Sequence, residues 1–240
     1  MSSLLEVADL HVNIGGYQIL QGVSLAVPEH AVTVLLGRNG AGKTTTMRSI
    51  MGYVRSAAGE IRWRGERLQG LRPYQVARRG IGYMPEEGHL FANLTVQDNL
   101  AMVARKSASY ESRLERALTL FPDLRIAWSR RAGTLSGGQK QMLGLARLLV
   151  AAPALMLIDE PSKGLSPGMV EVLAGALSVL REATTILLVE QNFRLASRVG
   201  DHFSVIDEGR TCLSGSMEQL VARVDWQQQY LGLTATREEV

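Results

Sequence analysis

The sequence has 240 residues, enough for one large α/β domain with a substantial hydrophobic core and too few for two independent enzymes. Its formal net charge is +3, with 26 basic and 23 acidic side chains, so charge alone does not favour a nucleic-acid partner. The single cysteine, Cys212, excludes an internal disulfide framework and a cysteine-based metal cluster.

The first ten residues lack a basic segment followed by a long apolar one, so the sequence predicts no secretory signal. The longest apolar tract, residues 142–158, is interrupted by Arg147 and Pro153, which argues against a membrane span. We therefore expect a cytosolic protein, for which any membrane association would have to come through a partner.

Short alternating or apolar runs at residues 4–10, 23–27 and 59–65 predict strands of a small antiparallel β layer. The segment 55–79 contains seven arginines, which could form a surface for nucleic acid or lipid headgroups. We interpret them as scattered exposed side chains, because Glu60, Glu66 and turn residues lie between them.

A phosphate-binding loop is predicted at residues 37–45, GRNGAGKTT, which have the spacing G-x-x-x-x-G-K-T. The apolar run 31–36 before this phosphate loop predicts a buried strand, and the residues after it predict a helix. The glycines let backbone N–H groups approach a triphosphate, Lys43 can reach its β- and γ-phosphates, and Thr44 can bind Mg²⁺. A plain glycine turn is the alternative. The predicted nucleotide-binding residues here are Gly37, Arg38, Asn39, Gly40, Ala41, Gly42, Lys43, Thr44 and Thr45.

The middle of the chain is predicted to be helical. Thr95 and Asp98 have the spacing of a helix cap, and a second helix is expected from Tyr110 to Pro122. Strand signals are lacking between Phe91 and Ala154, which indicates a helical segment inserted into an alternating α/β chain.

A second candidate anion site follows in the sequence LSGGQ. Ser136, Gly137, Gly138 and Gln139 come at the start of a predicted helix, where a hydroxyl, two glycines and the helix dipole favour phosphate. One chain thus has one phosphate loop and a second phosphate-binding device. We expect the second device to serve the nucleotide of a neighbouring subunit.

The apolar run 154–158 predicts a buried strand that ends in Asp159 and Glu160. Ligand chemistry in open α/β sheets lies at such strand ends, so Asp159 is the predicted Mg²⁺ ligand and Glu160 the predicted base for the attacking water. A solvated turn is the alternative. Further strands are predicted at 185–189 and 203–206, then a hairpin turn at 207–210, a helix capped by Ser216 and a frayed tail after Thr234.

Taken together, GRNGAGKTT, LSGGQ and LMLIDE resemble the Walker A, signature and Walker B motifs of ATP-binding-cassette (ABC) ATPases. The resemblance implies an α/β P-loop NTPase fold with a RecA-like core, a small antiparallel β layer and an inserted helical subdomain. It implies ATP and Mg²⁺ as ligands, and two cassettes that hold ATP between the Walker A loop of one and the signature of the other. The expected division of this single domain is a core of residues 1–86 and 150–215, a helical subdomain of residues 87–149, and a C-terminal helix and tail of residues 216–240.

Three positions depart from the usual family pattern. Glu86 stands where a metal-sensing glutamine is usual, Gln191 where a switch histidine is usual, and Ser166 where an aspartate is usual. Glu86 can still supply an oxygen to Mg²⁺, whereas Gln191 can hydrogen-bond a γ-phosphate but cannot accept a proton. The position of the aromatic side chain that usually stacks on adenine aligns nearest to Ile14, and Tyr17, three residues further on, is the candidate for that role.

The stretches MPEEGHLFANLTVQDNL, DEPSKGLSP and LLVEQN resemble ATPases of branched-chain amino-acid importers and their urea and amide relatives. That resemblance implies a homodimer or a heterodimer with a second ATPase, two membrane permease subunits and an extracytoplasmic solute-binding protein, with no nucleic acid. We place the groove for the permease in the segment from Glu86 to Leu100, and expect charge reversal of Glu87 together with Asp98 to uncouple transport. The alternatives are an ABC ATPase that acts on nucleic acid and a module that binds ATP without useful turnover.

Overall fold

The computed structural model describes residues 3–86, 90–104 and 107–232. Within these ranges, strands β1 to β10 are Ser3–Ile14, Tyr17–Pro28, Val32–Leu36, Ala58–Trp63, Glu66–Arg67, Ile81–Met84, Leu155–Asp159, Thr185–Val189, His202–Asp207 and Arg210–Ser216. Helices α1 to α10 are Lys43–Ile50, Pro73–Arg78, Val96–Ala104, Tyr110–Leu120, Pro122–Ile126, Gly137–Ala151, Pro167–Arg181, Phe193–Val199, Met217–Ala222 and Val224–Leu231, and a 3₁₀ turn covers Ala132–Thr134.

The central sheet has six strands in the order β10-β9-β3-β8-β7-β6. Its inner strands pair in parallel, and only β10, at one edge, pairs antiparallel. Strands β3, β7 and β8 are buried along their whole length, as expected for parallel strands covered on both faces. Alternate residues of these strands therefore enter two separate hydrophobic clusters, one on each face of the sheet.

The second sheet is antiparallel, in the order β2-β1-β4-β5. It supplies Val7, Leu10 and Ile61 to one hydrophobic cluster, which also contains Leu35 and Leu157 of the central sheet. The predicted antiparallel β layer is confirmed, although β1 and β2 are longer than the apolar runs that signalled them.

Helices α3 to α6 fill the chain between β6 and β7 and pack in the other cluster, which confirms the inserted helical segment. Helix α3 begins after Thr95, whose hydroxyl accepts the Asp98 N–H at 3.1 Å, and α4 ends before Pro122, as predicted. The subdomain bounds at residues 87 and 149 stay a prediction. Within the described residues, every helix is too short or too polar to cross a lipid bilayer.

The sequence patterns do not predict several elements of the structure. They include the strands Glu66–Arg67 and Ile81–Met84 and the helices Pro73–Arg78, Pro122–Ile126, Pro167–Arg181, Phe193–Val199 and Val224–Leu231, the last of which follows the helix that Ser216 caps. The hairpin at 207–210 is confirmed by the pairing of β9 with β10. The predicted frayed tail after Thr234 and the docking residue Glu87 lie outside the described residues.

Candidate functional site

The topology brings four predicted site segments to one edge of the central sheet. Strand β3 lies next to β8, β8 next to β7, and β7 next to β6, all in parallel. Their carboxyl ends therefore share an edge, where open α/β sheets place their ligands. The phosphate loop follows β3, Glu86 follows β6, Asp159 ends β7 and Gln191 follows β8.

The phosphate loop is shaped by glycines with positive φ angles. Gly37 has φ +143°, and a Cβ there would lie 2.1 Å from the carbonyl oxygen of Ile206, so no other residue fits without a shift. Lys43 starts α1 and is buried, with Nζ donating hydrogen bonds to the carbonyl oxygens of Gly37 at 2.8 Å and Arg38 at 3.0 Å. Burial lowers the pKa of Lys43. The negative charge of Glu160 makes the largest contribution in the opposite direction. The loop thus already holds a cation inside its curve.

Asp159 is fully buried at the end of β7 and accepts two hydrogen bonds. The hydroxyl of Thr44 donates to Oδ1 and the hydroxyl of Tyr83 donates to Oδ2, each at 3.3 Å. Burial raises the pKa of Asp159, while these two hydrogen bonds oppose the shift. Burial also raises the pKa of Tyr83, with the charge of Asp159 adding to the effect.

Glu160 is 7% exposed and is held in a left-handed backbone conformation, with φ +47°. Gln191 Nε2 donates a hydrogen bond of 2.5 Å to its Oε1, and Lys43 Nζ lies 3.9 Å from the same oxygen. The amide N–H of Glu160 donates to the carbonyl of Val189 at 2.9 Å. The predicted base and the predicted switch residue are therefore in direct contact.

A buried carboxyl that the sequence analysis did not consider lies beside this contact. Glu190 Oε1 accepts hydrogen bonds from the Ser162 hydroxyl at 2.8 Å and from the N–H groups of Gln191 and Asn192 at 2.9 and 3.1 Å. Burial raises the pKa of Glu190, and these hydrogen bonds oppose that shift. Glu190 directly follows β8. The principle that ligands bind at the carboxyl ends of parallel strands, which identified Asp159 and Glu160 after β7, also identifies Glu190 as a candidate.

The phosphate loop borders a cavity of about 380 Å³, whose wall also contains Ile19, Glu86, Glu160 and Lys163. Lys163, which the sequence analysis also left out, forms an ion pair with Glu86. The hydrogen bond that Lys163 donates to the Glu86 carboxylate raises the pKa of Lys163, and the charges of Glu86, Glu160 and Asp159 add to the shift.

These residues fit a magnesium nucleotide. Mg²⁺ prefers oxygen ligands and is usually held by one or two protein groups together with substrate phosphates. Thr44 and Asp159 present such oxygens side by side, and the carboxylate of Glu86 belongs to the wall of the same cavity as Thr44. In the part of the chain that the structure describes, no group of three or more acidic, histidine or cysteine side chains could hold a metal alone. The donor set thus suits an ion shared with a triphosphate.

Tyr17 and the predicted signature residues lie outside this cavity wall. Tyr17 is 76% exposed at the start of β2 and is not part of the cavity wall, which β2 joins through Ile19 instead. Ser136 caps α6 by accepting the Gln139 N–H at 3.2 Å, and Gln139 Oε1 accepts the Ser136 N–H at 3.1 Å. Ser136 and Gly137 are exposed and also lie outside that wall.

A larger cavity, of about 620 Å³, lies between the central sheet and the helical segment. Apolar side chains such as Met84, Val103 and Leu148 line it together with Arg48 and Arg147. None of its described lining residues falls between 86 and 100, the segment in which we expected the permease groove. Asp98 instead caps α3, accepting the hydroxyl of Thr95 at 2.6 Å, so its charge reversal would disturb the helix itself.

Comparisons with known proteins agree with this geometry. A family model described as ABC transporter matches residues 20–163. The high-affinity branched-chain amino acid transport ATP-binding protein BraG of Pseudomonas aeruginosa is 37% identical over 221 residues, covering 91% of this chain and 95% of BraG. The probable branched-chain amino acid transport ATP-binding protein LivF of Archaeoglobus fulgidus is 33% identical over 234 residues, covering 96% and 99% of the two chains. The structure of the ADP conformation of MJ1267, an ATP-binding cassette of an ABC transporter, superposes with a TM-score of 0.85 at 22% identity over 97% of this chain and 98% of that one, a likeness of fold.

Proposed function

This chain belongs to the ABC transporter family, and we propose that it is the ATP-hydrolysing subunit of an importer for branched-chain or other hydrophobic amino acids. ATP binding and hydrolysis follow from the family, whose ATP-binding domain hydrolyses ATP to power transport. The amino-acid solute is inferred from the printed functions of BraG and LivF. Urea or a short-chain amide is the alternative solute.

One observation supports hydrolysis most directly. Gln191 Nε2, at 2.5 Å, and Lys43 Nζ, at 3.9 Å, both approach one carboxylate oxygen, Glu160 Oε1, beside the phosphate loop. A carboxylate held by fixed donors at a strand end can orient a water molecule and accept its proton. We assign Glu160 as the general base and Gln191 as the residue that holds it.

The remaining residues of the proposed site have distinct tasks. Lys43 binds phosphate oxygens by leaving its carbonyl partners on Gly37 and Arg38. Thr44, Asp159 and Glu86 are the proposed ligands of Mg²⁺, which when bound neutralises charge on the β- and γ-phosphates. Tyr83 fixes the orientation of Asp159 through its hydroxyl. Glu160 holds the water proton until phosphate leaves.

The position of the signature residues supports a pair of cassettes. Ser136 and Gly137 are exposed at the first turn of α6 and lie outside the chain's own nucleotide cavity. A helix N-terminus with an exposed serine and glycine is suited to an external phosphate. We infer that this surface covers the nucleotide of a second cassette, of the same chain or of a sister ATPase.

We infer that the permease contacts the 620 Å³ cavity, which adjoins the segment 86–100 at Pro85. Its wall is mainly apolar, carries Arg48 and Arg147, and includes no acidic side chain among its described residues. Charge complementarity therefore favours a cytoplasmic permease helix with an apolar face and an acidic side chain. From this proposed contact we infer a position on the inner face of the membrane, as a peripheral subunit beside permeases and an extracytoplasmic solute-binding protein.

Hydrolysis is tested by phosphate release from purified protein with Mg²⁺ and ATP. We expect Glu160→Gln to abolish release and to trap an ATP-bound dimer, detected by light scattering, because the amide keeps the shape and loses the base. Release by this variant at the wild-type rate would refute the assignment. Wild-type protein that binds ATP without releasing phosphate would instead support a module without turnover.

The transport role is tested in proteoliposomes that contain the permeases, this chain with or without a sister ATPase, and the solute-binding protein. We expect uptake of radiolabelled leucine, and its loss in Val103→Glu with ATP binding intact, because the new carboxylate would repel an acidic partner helix. Val221→Glu, at an exposed valine on α9, is the matched control. Uptake of urea or an amide alone would favour the alternative solute, and a shifted band with duplex DNA or RNA would favour a nucleic-acid ATPase.

A further inference from the structure

The ion pair between Lys163 and Glu86 puts a second cation beside the predicted metal site. Both side chains belong to the wall of the 380 Å³ cavity that the phosphate loop borders. The Lys163 side chain is 60% exposed and that of Glu86 is 38% exposed, so the pair lies at the cavity mouth.

Backbone contacts fix both partners in place. The Lys163 N–H donates to the carbonyl of Glu160 at 3.2 Å, so Lys163 closes the turn that carries the catalytic carboxylate. The neighbouring Ser162 hydroxyl donates to the buried Glu190 at 2.8 Å. On the other side, the carbonyl of Glu86 accepts a hydrogen bond from Gln141 of α6 at 3.1 Å. The pair therefore joins the turn after β7 to the junction between the sheet and the helical segment.

While Glu86 is paired with Lys163, its carboxylate cannot bind a metal ion with both oxygens. A carboxylate oxygen engaged by an ammonium group has fewer lone pairs left for a divalent ion, and the positive charge repels that ion. Lys163 can leave at small cost, because its side chain is already more than half exposed to water.

We propose that Lys163 is a positioning residue that competes with the metal ion for the carboxylate of Glu86, and so sets how much Mg²⁺ the nucleotide site requires. The proposal rests on the proposed function, in which Glu86 is a metal ligand. Loading the ion exchanges one partner of Glu86 for another, and the released Lys163 ammonium returns to water. The charge of Glu86 is thereby compensated in both states.

The test is a double-mutant cycle on the full chain, with Mn²⁺ as the probe and a non-hydrolysable ATP analogue as the nucleotide. Electron paramagnetic resonance measures the half-saturating Mn²⁺ concentration without any need for turnover. We expect Lys163→Gln and Lys163→Met to lower this concentration about two- to fivefold, the range expected for removing an exposed ion pair. Lys163→Arg, which keeps the charge, is the control and should retain the wild-type value.

The Glu86→Gln background separates competition from a general charge effect. If Lys163 acts through Glu86, adding Lys163→Gln to Glu86→Gln changes nothing. An equal shift in both backgrounds, or a rise in half-saturating Mn²⁺, would overturn the proposal while leaving the proposed function standing. Wild-type protein that binds no metal with the nucleotide would overturn the proposed function itself.

Discussion

The contact between Gln191 and Glu160 makes a quantitative prediction about turnover. Gln191→Ala removes the N–H donor that lies 2.5 Å from Glu160 Oε1. A hydrogen bond to a charged group contributes about 1.5–3 kcal/mol, and Gln191 is exposed, so we take the lower end of that range. If that energy serves to position the base in the transition state, its loss lowers the rate about tenfold.

The assay is single-turnover phosphate release at saturating Mg²⁺ and ATP. Gln191→His keeps an N–H donor and should retain most of the rate, but it should introduce a pH dependence near the ordinary histidine pKa of about 6.5, which glutamine lacks. Gln229→Ala, at an exposed glutamine on α10, is the matched control. Release by Gln191→Ala at the wild-type rate would refute the positioning role of this hydrogen bond.

Two further predictions concern stability. Because burial raises the pKa of Glu190 above 4.5, the folded state binds this proton more tightly than the unfolded chain and loses stability as pH rises through that window. The free energy of unfolding of Glu190→Gln, measured in urea, should therefore increase relative to that of the wild type as the pH is raised from 4.5. A difference between the two proteins that stays constant with pH would contradict this. Asn99 is fully buried and bonds the N–H of Phe91 at 3.0 Å and the carbonyl of Thr95 at 2.9 Å, so Asn99→Ala should lower the free energy of unfolding by roughly 2–4 kcal/mol. The exposed Asn13→Ala is its control, and an equal loss in both variants would refute the reasoning.

Local sequence signals explain which elements could be predicted. The strands Leu155–Asp159 and Thr185–Val189 are apolar over nearly their full length, and the cap at Ser136 is a short-range pattern. By contrast, Ile81–Met84 is only four residues long and contains a glycine, and it becomes a strand through its pairing with β7, more than 70 residues away in sequence. No local window contains that pairing.

The residues of the candidate site also divide into those that the sequence predicts and those that it does not. The motif spacing predicts that Lys43 and Glu160 belong to one site. It does not predict a role for Lys163, because that residue joins the site through its ion pair with Glu86, 77 residues away. The same is true of the 2.5 Å contact between Gln191 and Glu160, which depends on β7 and β8 lying side by side. Residue type and spacing identify the chemistry of single positions, whereas the pairs that tune the chemistry are set by the order of strands in the sheet.

The two cations of the cavity suggest how such tuning works. Lys43 is held by two loop carbonyls and Lys163 by Glu86, so each already has protein partners at the site. Binding a magnesium nucleotide then replaces one set of contacts by another, and the affinity is the difference between them. Since that difference depends on the displaced partner as much as on the new one, substitutions at Glu86 or Lys163 can shift the metal requirement while the phosphate loop stays unchanged.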